Sequence, residues 1–427
     1  MKVPSVRRLL FDRLVVNLAL LLGLSQFFVW HWFRLVVQDE PGPGFARGLA
    51  LVLTLVIANG LVVSPLRRAR RRTDWRGRVA AAYMDLGVAT LLLGLAVALS
   101  WLVLLLLAGT LGALGASQEK GFAAFRIASM GLVGGVALLV GWGFAGGQAR
   151  VERTRVRVGI PGLHPDLAGL RIVQISDLHI GSRMQGAGLD RMVARTNALE
   201  PDVLVLTGDI FDFDPSYIDD GARRLGALRA RYGVYAILGN HDAYTGAERV
   251  ASGLARRAPN LRLLRDEVVK LPVPAPLYLA GVEDRGRDWS ARGLQLEGLS
   301  AVAAARPDDA PTLLLVHRPE AFQQAAELGF PLVLSGHTHG GQLALPTPGG
   351  RYNLARLVTP FTRGLYRIGG SVLYVNRGLG VAGPKLRINC PREIATVELQ
   401  PLLEHVHQPV AAEADLFVGA QRGSVGR

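Results

Sequence analysis

With a single cysteine among its 427 residues, Cys390, the chain cannot form an internal disulfide, and nothing in it requires an oxidising compartment. Cys390 is expected as a small core residue. Charge is also scarce: 19% of residues are charged against 50% hydrophobic, which excludes a disordered chain or a protein that merely coats nucleic acid. The net charge of +14 is unevenly placed. Residues 1–158 hold 19 Lys/Arg against 7 Asp/Glu, and the remainder holds 29 against 27. The near balance of the second part implies no basic face for nucleic acid. At roughly 150 residues per domain the length suggests two or three units.

Charge is missing altogether from four long apolar runs: Leu14 to Trp30, Gly48 to Leu66, Leu86 to Ala108 and Ile127 to Gly147. At a rise of about 1.5 Å per residue each crosses roughly 30 Å of hydrocarbon as a helix, so residues 1–150 are expected to form a four-helix transmembrane domain. The first run is short and is expected to recruit Trp32 and Phe33 beyond His31, with Trp30 and Trp32 at the membrane boundary. The runs hold no intramembrane charge of the kind that marks a transport route; Asp85 stands only at the start of the third.

Arginines set the orientation. Lys2, Arg7, Arg8 and Arg13 precede the first run, seven arginines from Arg67 to Arg78 lie between the second and third, and Arg150, Arg153, Arg155 and Arg157 follow the fourth. Positive loops stay inside, which places both termini and the second half in the cytoplasm of a bacterial inner membrane protein. A twin-arginine export reading of Arg7-Arg8 leaves the arginine-rich second loop unexplained. The same arginines can also attract anionic lipid head groups.

Residues 151–169 read as a linker, and from Leu170 the pattern changes to short β-rich runs alternating with helical spacing, a layered α/β domain extending to about residue 400. The runs are Leu170 to Ser176, Asp202 to Thr207, Gly233 to Leu238, Thr312 to Val316 and Pro331 to Ser335. Leu189 to Leu199, Ile218 to Arg231 and Glu320 to Leu328 have helical spacing between them. Apolar on both faces, the strands suit the centre of a covered sheet. Residues 401–427 read as a tail, polar from Glu404 onward and without assigned function.

Each strand is followed by metal-type ligands: Asp177-Leu178-His179, Gly208-Asp209, Gly239-Asn240-His241-Asp242, His317 and Gly336-His337-Thr338-His339. Side chains at the carboxyl ends of strands share one crevice and can converge although far apart in sequence. Carboxylate, amide oxygen and imidazole together suit Mn, Fe, Zn or Co. Two such ions about 4 Å apart, joined by a bridging carboxylate, hold a phosphoryl oxygen and activate water. Outside these motifs His31 reads as an interfacial residue, His164 as part of a Pro-flanked loop, and His405 and His407 as residues of a solvated tail.

In this order, DLH, GD, GNHD, the isolated His317 and SGHTHGGQ resemble the calcineurin-like metallophosphoesterase superfamily, over roughly Leu170 to Leu399. The resemblance implies a four-layer α/β β-sandwich binding two divalent metal ions, manganese foremost. Asp177, His179, Asp209 and His339 would bind one ion, and Asp209, Asn240, His317 and His337 the other, with Asp209 as the bridge. His241 would stabilise or protonate the leaving oxygen, and Asp242 would orient His241. The stretch after Gly208-Asp209 lacks the arginine of GDxxDRG, which disfavours a Ser/Thr protein phosphatase. The SGHTHGGQ ending, NRGLG at Asn376 to Gly380 and RINCPREI from Arg387 are more similar to the membrane-associated bacterial branch, with its YkuE/YaeI-type phosphodiesterases and UDP-diacylglucosamine pyrophosphatases.

That branch implies a phosphodiester or pyrophosphate substrate, lipid-linked in one reading. The alternatives are a soluble nucleotide or phosphodiester, with the helices as an anchor, and a non-catalytic membrane sensor or scaffold using the fold as a binding module. Ala243 to Asp309 and the loop Leu345 to Gly370 are expected to shape specificity. The latter mixes Arg351, Arg356, Arg363 and Arg367 with Tyr352, Phe361 and Tyr366, a combination that suits a lipid head group.

Overall fold

The computed structural model describes residues 6–69, 75–113, 118–286, 296–347, 350 and 352–402. The chain divides into two compact units, Met1–Ala145 and Gly146–Arg427. The predicted tail from Glu404 lies outside the described residues.

Helices α1 (Val6–Trp32, prolonged by a π-helical stretch Phe33–Val37), α2 (Phe45–Ala69), α3 (Trp75–Ala113) and α4 (Gln118–Ala149) follow the four charge-free runs. Each is long and apolar enough to cross a membrane, over Val15–Val37, Phe45–Val63, Trp75–Leu104 and Glu119–Ala149. Polar groups between the first three satisfy one another: Asn59 Nδ2 donates to Gln26 Oε1 at 2.8 Å, and the Tyr83 hydroxyl donates to Asn59 Oδ1. Trp32 is buried against Val36, Val97 and Phe125, and its Nε1 donates to Ser129 Oγ at 3.3 Å, an internal partner for the indole.

The second unit begins with β1 (Val151–Ile160), β2 (Arg171–Ile175), α5 (Gly186–Asn197), β3 (Val203–Thr207), α6 (Ile218–Leu225) and β4 (Val234–Ile237). It continues through α7 (Asn240–Thr245), α8 (Ala247–Arg257), β5 (Leu261–Leu263), β6 (Glu267–Lys270), β7 (Tyr278–Gly281) and α9 (Leu296–Ala305). It closes with β8 (Thr312–Leu315), α10 (Phe322–Glu327), β9 (Leu332–Ser335), β10 (Gly364–Ile368), β11 (Ser371–Val375) and β12 (Arg392–Pro401). The strands form two six-stranded mixed sheets, ordered β1-β12-β2-β3-β4-β5 and β10-β11-β9-β8-β7-β6.

Alternation along the strands builds four layers. In β3, Val203 and Val205 face the core between the sheets, whereas Leu204 and Leu206 face outward onto α5, α6 and α8. In β8, Leu313 and Leu315 point inward and Leu314 outward, onto a cluster with Leu299 and Val302 of α9 and Phe322 and Ala325 of α10. This is the four-layer α/β arrangement expected from the resemblance, and it explains why the central strands are apolar on both faces.

Residues 151–160, expected as linker, are instead β1, paired in parallel with β12 from Val151↔Arg392 to Ile160↔Pro401. Arg153, Arg155 and Arg157 lie on its exposed face while Val158 and Ile160 enter the core, so the arginines that read as membrane flanks also alternate as an edge strand. The C-terminal end of the expected Leu345–Gly370 loop is likewise a strand, β10, antiparallel to β11. Phe361 and Tyr366 pack against the outer core of the second sheet, and the Tyr366 hydroxyl accepts from Thr362 N at 2.9 Å. Arg351 lies outside the described residues.

Candidate metal centre

The ligand candidates occupy turns just past β2, β3, β4, β8 and β9, and backbone hydrogen bonds knit those turns together. Asp177 N donates to Gly208 O, His179 N to Asp209 O and Gly336 N to His317 O, each at 3.0 Å. Asp177, His179, Asp209, His337 and His339 all adopt positive φ, between 46° and 70°. For residues other than glycine this left-handed backbone costs about 1–3 kcal/mol apiece, strain that the surrounding bonds hold in place. Gly208 has φ +87°, and a Cβ there would lie 2.5 Å from His317 Nδ1 and 2.9 Å from Gly239 N, so only glycine fits.

Among the described residues three groups of donors result, Asp177 with His179 and His339, Asp209 with His317 and His337, and Asp212 with His179 and His241; within each, the ligand atoms lie within 4.8 Å of one another, and the first two are the clusters that hold the expected ligands. His179 Nε2 and His339 Nε2 approach to 3.0 Å, His317 Nε2 and His337 Nδ1 to 3.2 Å. Asp209 Oδ2 stands 3.5 Å from His179 Nε2 and 3.3 Å from His317 Nε2, beside both clusters. Asn240 is buried as the first residue of α7, and the backbone N of the next residue, His241, donates to Asp209 Oδ1 at 2.8 Å.

The chemistry of these donors fits cations. Burial and the neighbouring His317 push His337 down to about 3, and burial with the charges of His179 and Arg387 holds His339 well below the usual histidine range. Both rings are therefore neutral and offer lone pairs, the form that binds metal. Burial acts against a charged His317, but the Asp209 carboxylate overrides it and raises the ring to about 10. Its Nδ1 faces Thr207 O at 2.8 Å, which aims Nε2 at Asp209, where a divalent ion would take the place of the proton. Asn240 Oδ1 is buried with no hydrogen-bond partner among the described residues. An orphaned acceptor costs about 1–3 kcal/mol, and a cation would satisfy it.

His241 lies beside this centre, its ring edge-on to His179 at 4.5 Å between centroids. The carboxylate that contacts it is Asp212, whose Oδ1 is 2.9 Å from His241 Nδ1 and 3.6 Å from His179 Nδ1. Asp242, expected in that role, turns away: its carboxylate accepts from Gly239 N at 2.9 Å, Ile210 N at 3.0 Å and Phe211 N at 2.8 Å. Three backbone donors hold Asp242 at the start of α7 and leave it no reach to the His241 ring. Burial, with the nearby Asp209 charge, still pushes Asp242 up to about 7. Phe213 and Tyr244 flank His241, at 4.7 and 5.7 Å between ring centroids.

A second support was not legible as a site in the sequence. Arg387 is fully buried and donates to the carbonyls of Arg377 at 2.9 Å, Gly380 at 2.8 Å and Cys390 at 3.1 Å, with Nη2 3.4 Å from His339 Nδ1. The loop it gathers braces the centre from behind, since Leu379 N donates to Ser176 O at 3.0 Å and Gly380 N to Asp177 O at 2.6 Å. Cys390 is buried as expected, with its thiol on His339 O at 3.2 Å.

The model of the calcineurin-like phosphoesterase family matches residues 170–341, the stretch that carries every one of these ligand candidates. An uncharacterized metallophosphoesterase of Aquifex aeolicus is 33% identical over 236 residues, covering 54% of this chain and 85% of that protein. The chain belongs to the calcineurin-like metallophosphoesterase family. Among other family members, a Bos taurus "transmembrane protein with metallophosphoesterase domain" is 34% identical over 58% of this chain. The UDP-2,3-diacylglucosamine pyrophosphatase LpxG of Chlamydia trachomatis is 29% identical over 56% of this chain and 87% of its own length. Against relatives from Campylobacter jejuni, Bos taurus and Danio rerio the chain spans 63%, 56% and 61% of their length. The four apolar helices and the transmembrane relatives agree on membrane association.

Proposed function

We propose that this protein is an integral-membrane, metal-dependent phosphoesterase that hydrolyses a phosphodiester or pyrophosphate bond of a lipid-linked substrate by means of two divalent ions. The observation that carries the reading is the position of Asp209, one buried carboxylate within 3.5 Å of imidazole nitrogens from both donor clusters. Asp177, His179, Asp209 and His339 would hold one ion, and Asp209, Asn240, His317 and His337 the other, with manganese the first to test among Mn, Fe, Zn and Co. Ions bound there supply Lewis acidity toward phosphoryl oxygen and a lowered water pKa.

The chain's own residues do the rest. Thr207 O orients His317 through its Nδ1, and His337 N steadies Asp177 by donating to both carboxylate oxygens, at 3.0 and 3.1 Å. His241 holds the proton for the leaving oxygen at Nε2, while Asp212 accepts from its Nδ1 and stabilises the imidazolium. Phe213 and Tyr244 flank the ring and restrict its movement. The name of the Chlamydia relative supports a pyrophosphate bond, and the apolar helices support a lipid-linked substrate. The arginines near both ends of the helical region support a cytoplasmic catalytic domain, which a reporter fused after Arg427 tests.

The enzymatic reading is tested with the detergent-purified full chain, loaded with manganese and assayed on bis(p-nitrophenyl) phosphate and the matching monoester beside Asp209→Asn. Diester hydrolysis that disappears in the variant is the expected result. Equal rates in both proteins, or no turnover by metal-loaded wild type on diesters and pyrophosphates alike, would overturn it.

A further inference from the structure

Beyond the ligands His337 and His339 the chain turns outward and exposes large apolar side chains: Leu345, Tyr352, Leu354 and Val358 are each 46–60% exposed and Leu357 is 86% exposed. The protrusion is built rather than frayed. Leu345 N donates to Tyr352 O at 2.8 Å and Leu354 N to Leu343 O at 3.3 Å. Asn353 caps the 3-10 turn Leu354–Leu357 by accepting from Ala355 N at 3.0 Å, and its amide donates to Gly350 O and Thr362 Oγ1, both at 3.1 Å. The leucine turn lies against the ligand turn His339–Gly341: a Cβ on Gly341 would meet Asn353 Oδ1 at 2.6 Å and Ala355 N at 2.9 Å. Thr338 Oγ1 donates to Thr362 O at 2.6 Å, a second tie between the two.

Single exposed apolar residues are ordinary, but several held together by dedicated hydrogen bonds mark a contact surface. The charge around them names the partner. Between Glu327 and Glu393 the sequence has no acidic residue and eight Lys/Arg. Arg356, Arg367 and Lys385 of that stretch are exposed. Apolar tips in an exposed, basic stretch of chain suit the boundary of an anionic bilayer, where leucine and tyrosine enter the acyl region and arginine meets lipid phosphate. The chain keeps a bilayer within covalent reach, for α4 ends at Ala149 and β1 begins at Val151.

We propose that the protrusion carrying Leu345, Tyr352, Leu354, Leu357 and Val358 docks on the surface of the bilayer that the chain's own helices cross, and presents a lipid-borne phosphoester to the adjacent candidate metal centre. Presentation of substrate rests on the phosphoesterase reading; docking does not.

The test uses the full chain reconstituted in phosphatidylcholine vesicles with and without anionic phosphatidylglycerol. Leu357→Cys carries an environment-sensitive nitrobenzoxadiazole label, while native Cys390 is buried. Docking predicts a blue-shifted label that is quenched by acyl-chain spin labels, more strongly with anionic lipid, while the same label at Asp308→Cys stays unquenched. No quenching at position 357, or equal quenching at 308, overturns docking. In parallel, Leu354→Asp with Leu357→Asp lowers the ratio of vesicle-embedded to soluble diester hydrolysis at least about tenfold, since each leucine lost from the acyl boundary is worth about that factor. An unchanged ratio overturns presentation. A quenched label in a protein that hydrolyses neither substrate supports docking and sinks the phosphoesterase reading alone.

Discussion

Replacing Glu393 by glutamine tests how the second unit braces its candidate metal centre. Glu393 is buried on β12, and its carboxylate gathers four donors: Oε1 accepts from Thr154 Oγ1, Tyr374 OH at 2.8 Å and Arg377 Nη2 at 2.9 Å, and Oε2 accepts from Arg377 N at 3.0 Å. These tie β1, β11 and β12 to the loop that carries Leu379 and Gly380 onto Ser176 and Asp177. Burial alone would raise this carboxyl; the Arg377 guanidinium and the hydrogen bonds overcome it and hold the group at about 2 instead of 4.5. A depression of that size corresponds to about 3 kcal/mol of stability at neutral pH. Removing one partner of a buried ion pair costs about 3–5 kcal/mol by an independent route, so the two magnitudes agree.

For a unit of this size, thermal unfolding of the full chain in detergent should therefore fall by roughly 6–12 °C in Glu393→Gln. The folded pKa lies below the unfolded one, so the contribution is complete above pH 4.5 and is lost as pH falls through about 2. The gap between wild type and variant should be constant at neutral pH and close on acidification through that window. A shift corresponding to less than about 1 kcal/mol at pH 7, or a gap that does not narrow on acidification, would refute the reasoning.

Three further outcomes follow from the same geometry. Asp212→Asn is expected to lower kcat on a soluble diester about 100-fold while KM and metal content stay near wild type, because it disturbs the proton donor and leaves the ligand set intact; parallel loss of bound metal would assign Asp212 to the ligands instead. Asp242→Asn should act through stability, by about 1–3 kcal/mol in thermal melts, since its amide nitrogen would confront one of three backbone N–H groups. Gly208→Ala forces a Cβ against His317 at positive φ and should lower stability by more than about 1 kcal/mol along with metal content, read by thermal melt and elemental analysis.

The convergence of the ligand candidates was legible because chemistry concentrates them: Asp177, Asp209, Asn240, His317 and His337 each follow an apolar run at a strand end, and the ends of neighbouring strands share one crevice. The four helices were legible for a related reason, since absence of charge over a bilayer's thickness leaves few alternatives. Misreadings arose where one pattern serves two purposes. Arg153, Arg155 and Arg157 suit a membrane flank and an exposed strand face equally, and only pairing with β12, more than 200 residues away, decides for a strand. The place of Asp242 next to His241 in sequence suggested contact, but on α7 adjacent side chains diverge, and Asp212 arrives from another turn. The second carboxylate in Gly208-Asp209-Ile210-Phe211-Asp212 was the available clue. Arg387 gave no such clue, because a buried arginine that binds carbonyl oxygens has no spacing rule; only the packed loop reveals it.

The dinuclear reading is tested most directly by the metal content of the purified full chain after manganese loading and removal of free metal, determined by elemental mass spectrometry beside Asp209→Asn. Two donor clusters with Asp209 beside both predict about two ions per wild-type chain and fewer than about one in the variant. A wild type that retains none, or a variant that retains both, would contradict it.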